Sequence, residues 1–125
     1  TKLSEEDIEH KVIYLAQADH LLWKKRLLDM AVGRSNMKAR DLTDHTLCRL
    51  GKWYYSLSDD AIRNLPSFRD IEEPHKRVHK IGIEAAQFFE VNNVDDGMRL
   101  YAQLDQASKD VITGLNQILK DLARQ

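Results

Sequence analysis

His75 and His79 stand four residues apart, a spacing that places two imidazoles one above the other on a helix face, about one turn apart. Two rings so placed can close on a single metal ion. The pair alone reads equally well as a half-exposed helix face. Pro74 sets both rings within the first two turns of a helix, because its missing N–H would be unpaired there anyway. His20 lies close to the apolar stripe of an earlier helical stretch, where a buried ring must find partners for its nitrogens. One hydrogen bond to a backbone carbonyl would serve, and so would a metal. Trp23, three residues on, covers the same face. Cys48 opens the run Cys48-Arg49-Leu50-Gly51-Lys52-Trp53. A lone thiol is often simply buried, but Gly51 on the same face removes bulk beside it and lets another helix approach closely. A mid-helix Gly costs about 1 kcal/mol relative to Ala, so it calls for a packing or functional reason.

Together these make one thiolate and three imidazoles, a donor set that suits zinc with its four tetrahedral N/S ligands. The donors come from three separate helices, so the ion would pin them together. A ligating imidazole usually donates its second N–H to a carboxylate or carbonyl. Asp19, directly before His20, and Asp44, four before Cys48, are candidates. His45, three residues before Cys48, is a possible supporting or alternative ligand. His10 reads as a solvated helix residue.

The elements that must carry these residues are helical, with sparse punctuation by five Gly and two Pro. Ser4 with Asp7 makes a variant capping box for a first helix running to about Val32, with Ile8, Val12, Leu15, Leu22, Leu27, Met30 and Ala31 at helical spacing and Gly33 as its stop. Residues 34–43 read as a polar connection. Thr43 or Asp44 is expected to cap a short helix carrying Leu47, Cys48, Leu50 and Trp53, and Ser58 starts a helical turn ending near Pro66. A helix with Pro74 in its first turn follows, broken at Asn92–Asn93. Asn93 then caps the last helix, where Tyr101, Leu104, Ser108, Val111, Leu115, Ile118 and Leu122 alternate spacings of three and four. The expected fold is all-α, a four-helix bundle with a short extra helix carrying the Cys ligand, in one domain over residues 1–125.

Composition limits the function classes. Hydrophobic residues make up 42% of the 125 residues, enough for one bundle core. The 19 Lys+Arg and 20 Asp+Glu leave a net charge of -1, which gives no electrostatic case for nucleic acid or an anionic membrane. No stretch has the roughly 18 consecutive apolar residues of a membrane span, and no signal-peptide pattern opens the chain. The lone Cys48 cannot form an internal disulfide, which fits a reducing compartment, the cytoplasm. The chain opens at Thr1 and closes in a helical pattern, as expected of a piece of a longer signalling protein.

The motifs His20-Leu21-Leu22-Trp23, Cys48-Arg49-Leu50-Gly51-Lys52-Trp53 and His75-Lys76-Arg77-Val78-His79, in that order across two long gaps, resemble the chemoreceptor zinc-binding domain (CZB) family of bacteria. The resemblance implies that His20, Cys48, His75 and His79 are the ligands of a Zn²⁺ ion and that Trp23, Gly51 and Trp53 pack around them. It also implies a cytoplasmic four-helix bundle, commonly a homodimer, attached to a chemotaxis signalling domain or a diguanylate cyclase. The signals it implies are zinc and oxidants such as hypochlorous acid.

On this reading the chain is a sensory domain in signal transduction and not an enzyme. Zinc would bias the Cys48 helix between docked and released arrangements, and loss or oxidation of Cys48 would loosen it and shift the first and last helices. Two other classes compete. A zinc hydrolase needs an open fourth position, which Cys48 fills. A plain dimerisation bundle would hold no zinc. A homodimer interface is expected to draw on Tyr14, Tyr54, Tyr55, Phe68 and Phe88.

Overall fold

The computed structural model describes residues 5–124, with side chains from residue 10 onward. Six α-helices follow one another: α1 Glu5–Ala31, α2 Arg49–Ser56, α3 Asp60–Arg63, α4 Pro66–Asp70, α5 Glu72–Glu90 and α6 Val94–Ala123. A short 3-10 turn, Ala39–Asp41, interrupts the connection after α1. No strand forms among the described residues. The all-α bundle expected from the periodicity is present. Its long members are α1, α5 and α6, and the short helices α2–α4 take the remaining side.

The α6 seam follows its sequence pattern closely. Leu104, Ser108, Val111, Leu115, Ile118 and Leu122 are buried, and Tyr101 is half-buried. Against it α5 turns Val78, Gly82, Ala85, Ala86 and Phe89. Each fully buried Leu, Ile or Val contributes roughly 1.5–3 kcal/mol, so this hairpin is the stable body of the domain. Its turn is the predicted Asn pair: Asn92 adopts φ 62°, and the Asn93 side chain accepts from the Asp96 amide at 3.3 Å. Asp95 and Asp96 lie in the first turn, favoured by the helix dipole. Gly33, at φ 76°, closes α1 with its N–H on the Met30 carbonyl.

α1 departs from expectation in its face. Its buried stripe is Ile13, Ala16, His20, Leu27 and Met30, whereas Leu15 and Leu22 are exposed and Val12 and Ala31 half-buried. A second apolar stripe, Tyr14, Leu21, Leu28 and Val32, faces outward. Two apolar faces on one helix blur its periodicity, so the pattern alone does not single out the buried one. The Ser4–Asp7 capping box and the Ile8 side chain lie outside the described residues. Lys24 pairs with Asp105, and Gln17 donates to Asn116 at 3.0 Å, both tying α1 to α6.

The region between α1 and α5 also differs from expectation. The helix expected to start from a Thr43 or Asp44 cap and to carry Leu47 and Cys48 begins only at Arg49, with Leu47 outside it and Cys48 itself as its N-cap. Asp44 instead accepts from the Thr46 amide at 2.8 Å, closing a separate turn. Asp59, not Ser58, caps α3 through the Ala61 amide; that turn ends at Arg63, just ahead of Pro66, which opens a further helix, α4. Phe68, expected at an interface, is buried and stacked on Tyr54 at 4.1 Å.

Candidate metal centre

Three imidazoles meet where α1 and α5 face one another. His75 and His79 project from the first two turns of α5, and His20 reaches them from the buried stripe of α1. Ring centroids lie 4.9 Å apart for His75–His79, 5.6 Å for His20–His75 and 6.2 Å for His20–His79. One nitrogen from each lies within 4.8 Å of the others, and all three residues are buried. Cys48 joins at the His75 edge, with Sγ 3.2 Å from His75 Nε2. A tetrahedral zinc with bonds of about 2.0 Å to nitrogen and 2.3 Å to sulfur holds N and S roughly 3.5 Å apart, so this contact already has the required scale. Three of the four expected ligands, the histidines, therefore converge; the Cys48 thiol stands outside that 4.8 Å set and meets it through His75.

Hydrogen bonding separates the rings by role. His79 Nδ1–H donates to the Thr43 carbonyl at 2.8 Å, which leaves Nε2 as the lone-pair nitrogen. His20 is only 5% exposed, yet neither of its ring nitrogens has a hydrogen-bond partner. An unsatisfied buried polar group costs about 1–3 kcal/mol. A cation coordinated by one of these nitrogens removes much of that cost, and this observation fits the residues to a metal.

The protonation states agree. Burial, then the neighbouring His79 and Lys24, pushes His20 down to about 4. Burial, then His79 and His20, lowers His75 as well. For His79 burial also dominates, opposed in part by the bond to Thr43. All three are neutral at physiological pH, as metal ligands must be. Burial raises the Cys48 thiol, while the Gly51 N–H, at 3.4 Å from Sγ, pulls the other way. Without a cation this thiol stays protonated; a coordinating thiol is deprotonated outright.

The supporting shell is partly the predicted one. Trp23 lies over His79 at 4.8 Å between ring centroids. Gly51 matters for a different reason than expected: a Cβ there would come within 1.8 Å of the His45 carbonyl oxygen, so it lets its own chain fold back tightly, not a second helix. Trp53 packs edge-on against Phe68 at 5.7 Å, toward the far end of α2. Asp19 is engaged by Arg49 at 3.1 Å and Asp44 by Thr46, so the ring partner proves to be the Thr43 backbone instead of either carboxylate. The sequence reading also missed Gly82. A Cβ on it would strike the Trp23 ring at 2.1 Å, so Gly82 is the slot that admits the indole. A glycine inside a strong helix pattern was the available signal.

α2 spans from the site to the core. Its head is Cys48, and behind it Leu50 and Gly51 are buried. At its tail Tyr54 Oη–H donates to the Phe68 carbonyl at 3.0 Å, and Tyr55 Oη–H to Glu72 at 2.9 Å.

The family model of the chemoreceptor zinc-binding domain matches residues 20–86, more than half of the chain, from the first of these histidines past both of those on α5. No curated protein and no solved structure matches the chain.

Proposed function

We propose that this chain, which belongs to the chemoreceptor zinc-binding domain family, holds its zinc ion with His20, Cys48, His75 and His79 and uses Cys48 as the group through which a signal is read. The observation that carries the ligand assignment is the buried His20 ring with both nitrogens unpartnered, facing two further buried imidazoles, one of which, His75, meets the Cys48 thiol. When bound, zinc supplies a positive charge that keeps the Cys48 sulfur a nucleophilic thiolate.

The chain's own residues do the rest. His79, anchored on Thr43, fixes the loop that leads to Cys48. Trp23 covers His79 and limits access by water. Cys48 is half-buried and lines an open cavity with His20, Arg26 and Arg49, so a small oxidant reaches it. With hypochlorous acid, the thiolate sulfur attacks chlorine, the electrophilic atom. The S–Cl bond forms as the Cl–O bond breaks and hydroxide leaves, and water then displaces chloride with loss of a proton, giving a sulfenic acid. Sulfur loses two electrons and chlorine gains them. The product is a poorer donor and N-cap than the thiolate, so the head of α2 loosens while Tyr54 and Tyr55 hold its tail.

This sensory role serves a signalling protein, a cytoplasmic chemoreceptor or alternatively a diguanylate cyclase, and the domain regulates without catalysing. Cys48 stands where a hydrolase would keep its water. No described helix is long and apolar enough to cross a membrane. The outward stripe of Tyr14, Leu21, Leu28 and Val32 on α1 supports a homodimer. Sedimentation of Leu21→Glu checks this: it should run as a monomer where the native chain dimerises.

The direct test is zinc content with competitive titration. One zinc per chain is expected, with affinity reduced on the order of 100-fold or more by Cys48→Ser or His75→Ala. Unchanged affinity in either variant rejects the assignment.

A further inference from the structure

We propose that His45 is a reserve metal ligand, which replaces Cys48 when the sulfur no longer donates and keeps the ion in the site within an all-nitrogen shell. The inference rests on the zinc assignment above. It starts from a distance: the His45 and His75 ring centroids are 5.7 Å apart, against 5.6 Å for His20 and His75, two of the assigned ligands. His45 also lines the same cavity as His79. Its donor atoms stand outside the converging trio of His20, His75 and His79, and the ring rests edge-on to Tyr55 at 5.8 Å. It is held beside the centre without being part of it.

The backbone explains how it would enter. Thr43, two residues before His45, is tied to the site by the 2.8 Å bond from His79 Nδ1–H. At roughly 3.3–3.6 Å per residue, the His45 Cα stays within about 7 Å of that anchor whatever happens downstream. Cys48, three residues after, is the other tether, and its Sγ lies 3.7 Å from the His45 carbonyl. Releasing the sulfur frees the downstream tether alone. The segment then turns about Thr43, and the first imidazole along it is His45. Zinc takes imidazole as well as thiolate ligands, so a four-nitrogen shell still holds it, though less tightly than one with the anionic sulfur. Exchanging an anionic sulfur for a neutral ring makes the site more positive by one unit charge. The domain would therefore report loss of the thiolate without releasing its metal.

Cobalt(II) on the full chain separates the possibilities. The native chain and H45A should give the same spectrum, with intense four-coordinate d–d bands and a sulfur-to-cobalt charge-transfer band. C48A should lose the charge-transfer band but keep d–d intensity. H45A/C48A should lose that intensity and bind cobalt on the order of tenfold or more weaker than C48A. C48S, which keeps an N-cap acceptor and so the start of α2, repeats the contrast against H45A/C48S if C48A is poorly folded. A double variant matching its single Cys48 parent in band intensity and affinity overturns the role of His45, as does a folded C48S that shows only weak, water-rich cobalt bands. A native chain that binds cobalt without any sulfur band overturns the Cys48 ligand assignment itself.

Discussion

The two ends of α2 are held by different physics. Its tail is fastened by apolar aromatic packing, with Tyr54 stacked on buried Phe68 at 4.1 Å and Trp53 edge-on to the same ring. Its head is fastened by donor atoms: Cys48 on His75, and the preceding loop on His79 through Thr43. Apolar packing is insensitive to metal and oxidant, while a thiol and three imidazoles respond to both. A helix anchored in this way turns a chemical event at one end into a tilt about the other.

The largest expected effect breaks the apolar end. Phe68→Ala removes a fully buried ring and should cost about 3–5 kcal/mol in urea unfolding. The cost should be equal with and without zinc. A variant that loses most of its stability only in the zinc-free form would mean that the metal also fastens the tail.

Acid acts on the polar end. His20 titrates at about 4 in the folded chain, below the ordinary histidine value of 6.5. The unfolded chain therefore binds the proton first, and protonation favours unfolding. Metal-free stability should be complete above pH 6.5, decline as the pH falls toward 4, and lose up to about 3 kcal/mol from this residue. His20→Phe should make that slope shallower in unfolding curves measured across the same range, with His75 and His79, also lowered by burial, supplying what remains.

Gly51→Ala places a methyl against the His45 carbonyl, backbone that cannot swing aside. A cost of about 2 kcal/mol is expected, with weaker zinc binding in the same titration, because the head of α2 must shift. The smallest effect is at the tail: Tyr54→Phe deletes one hydrogen bond to Phe68 and should cost about 1 kcal/mol without changing zinc affinity.

The readable parts of the sequence were those with period or exclusion behind them. The α6 seam, the four-residue step from His75 to His79 and the Asn92–Asn93 break each follow from side-chain spacing or backbone preference. Joining Cys48 and His20 to that pair took the order of the three motifs. The parts that could not be read depend on the backbone or on shape. A carbonyl such as Thr43 has no residue signature, which leaves aspartates as the visible candidates for the partner of His79. A thiol is not a common N-cap, so Cys48 reads as a residue inside a helix, yet its sulfur accepts from Gly51. Phe68 looks like surface because its stacking partner, Tyr54, comes from another helix. The outward stripe of α1 competes with the inward one for the same period.

Amide hydrogen exchange on the full chain, zinc-loaded against zinc-stripped, bears most directly on the division of α2. Zinc should raise protection across residues 43–52 and leave the α5–α6 seam and the Tyr54–Phe68 contact as they were. Equal protection of residues 43–52 in the two states, or a gain spread evenly over the whole bundle, would contradict the account.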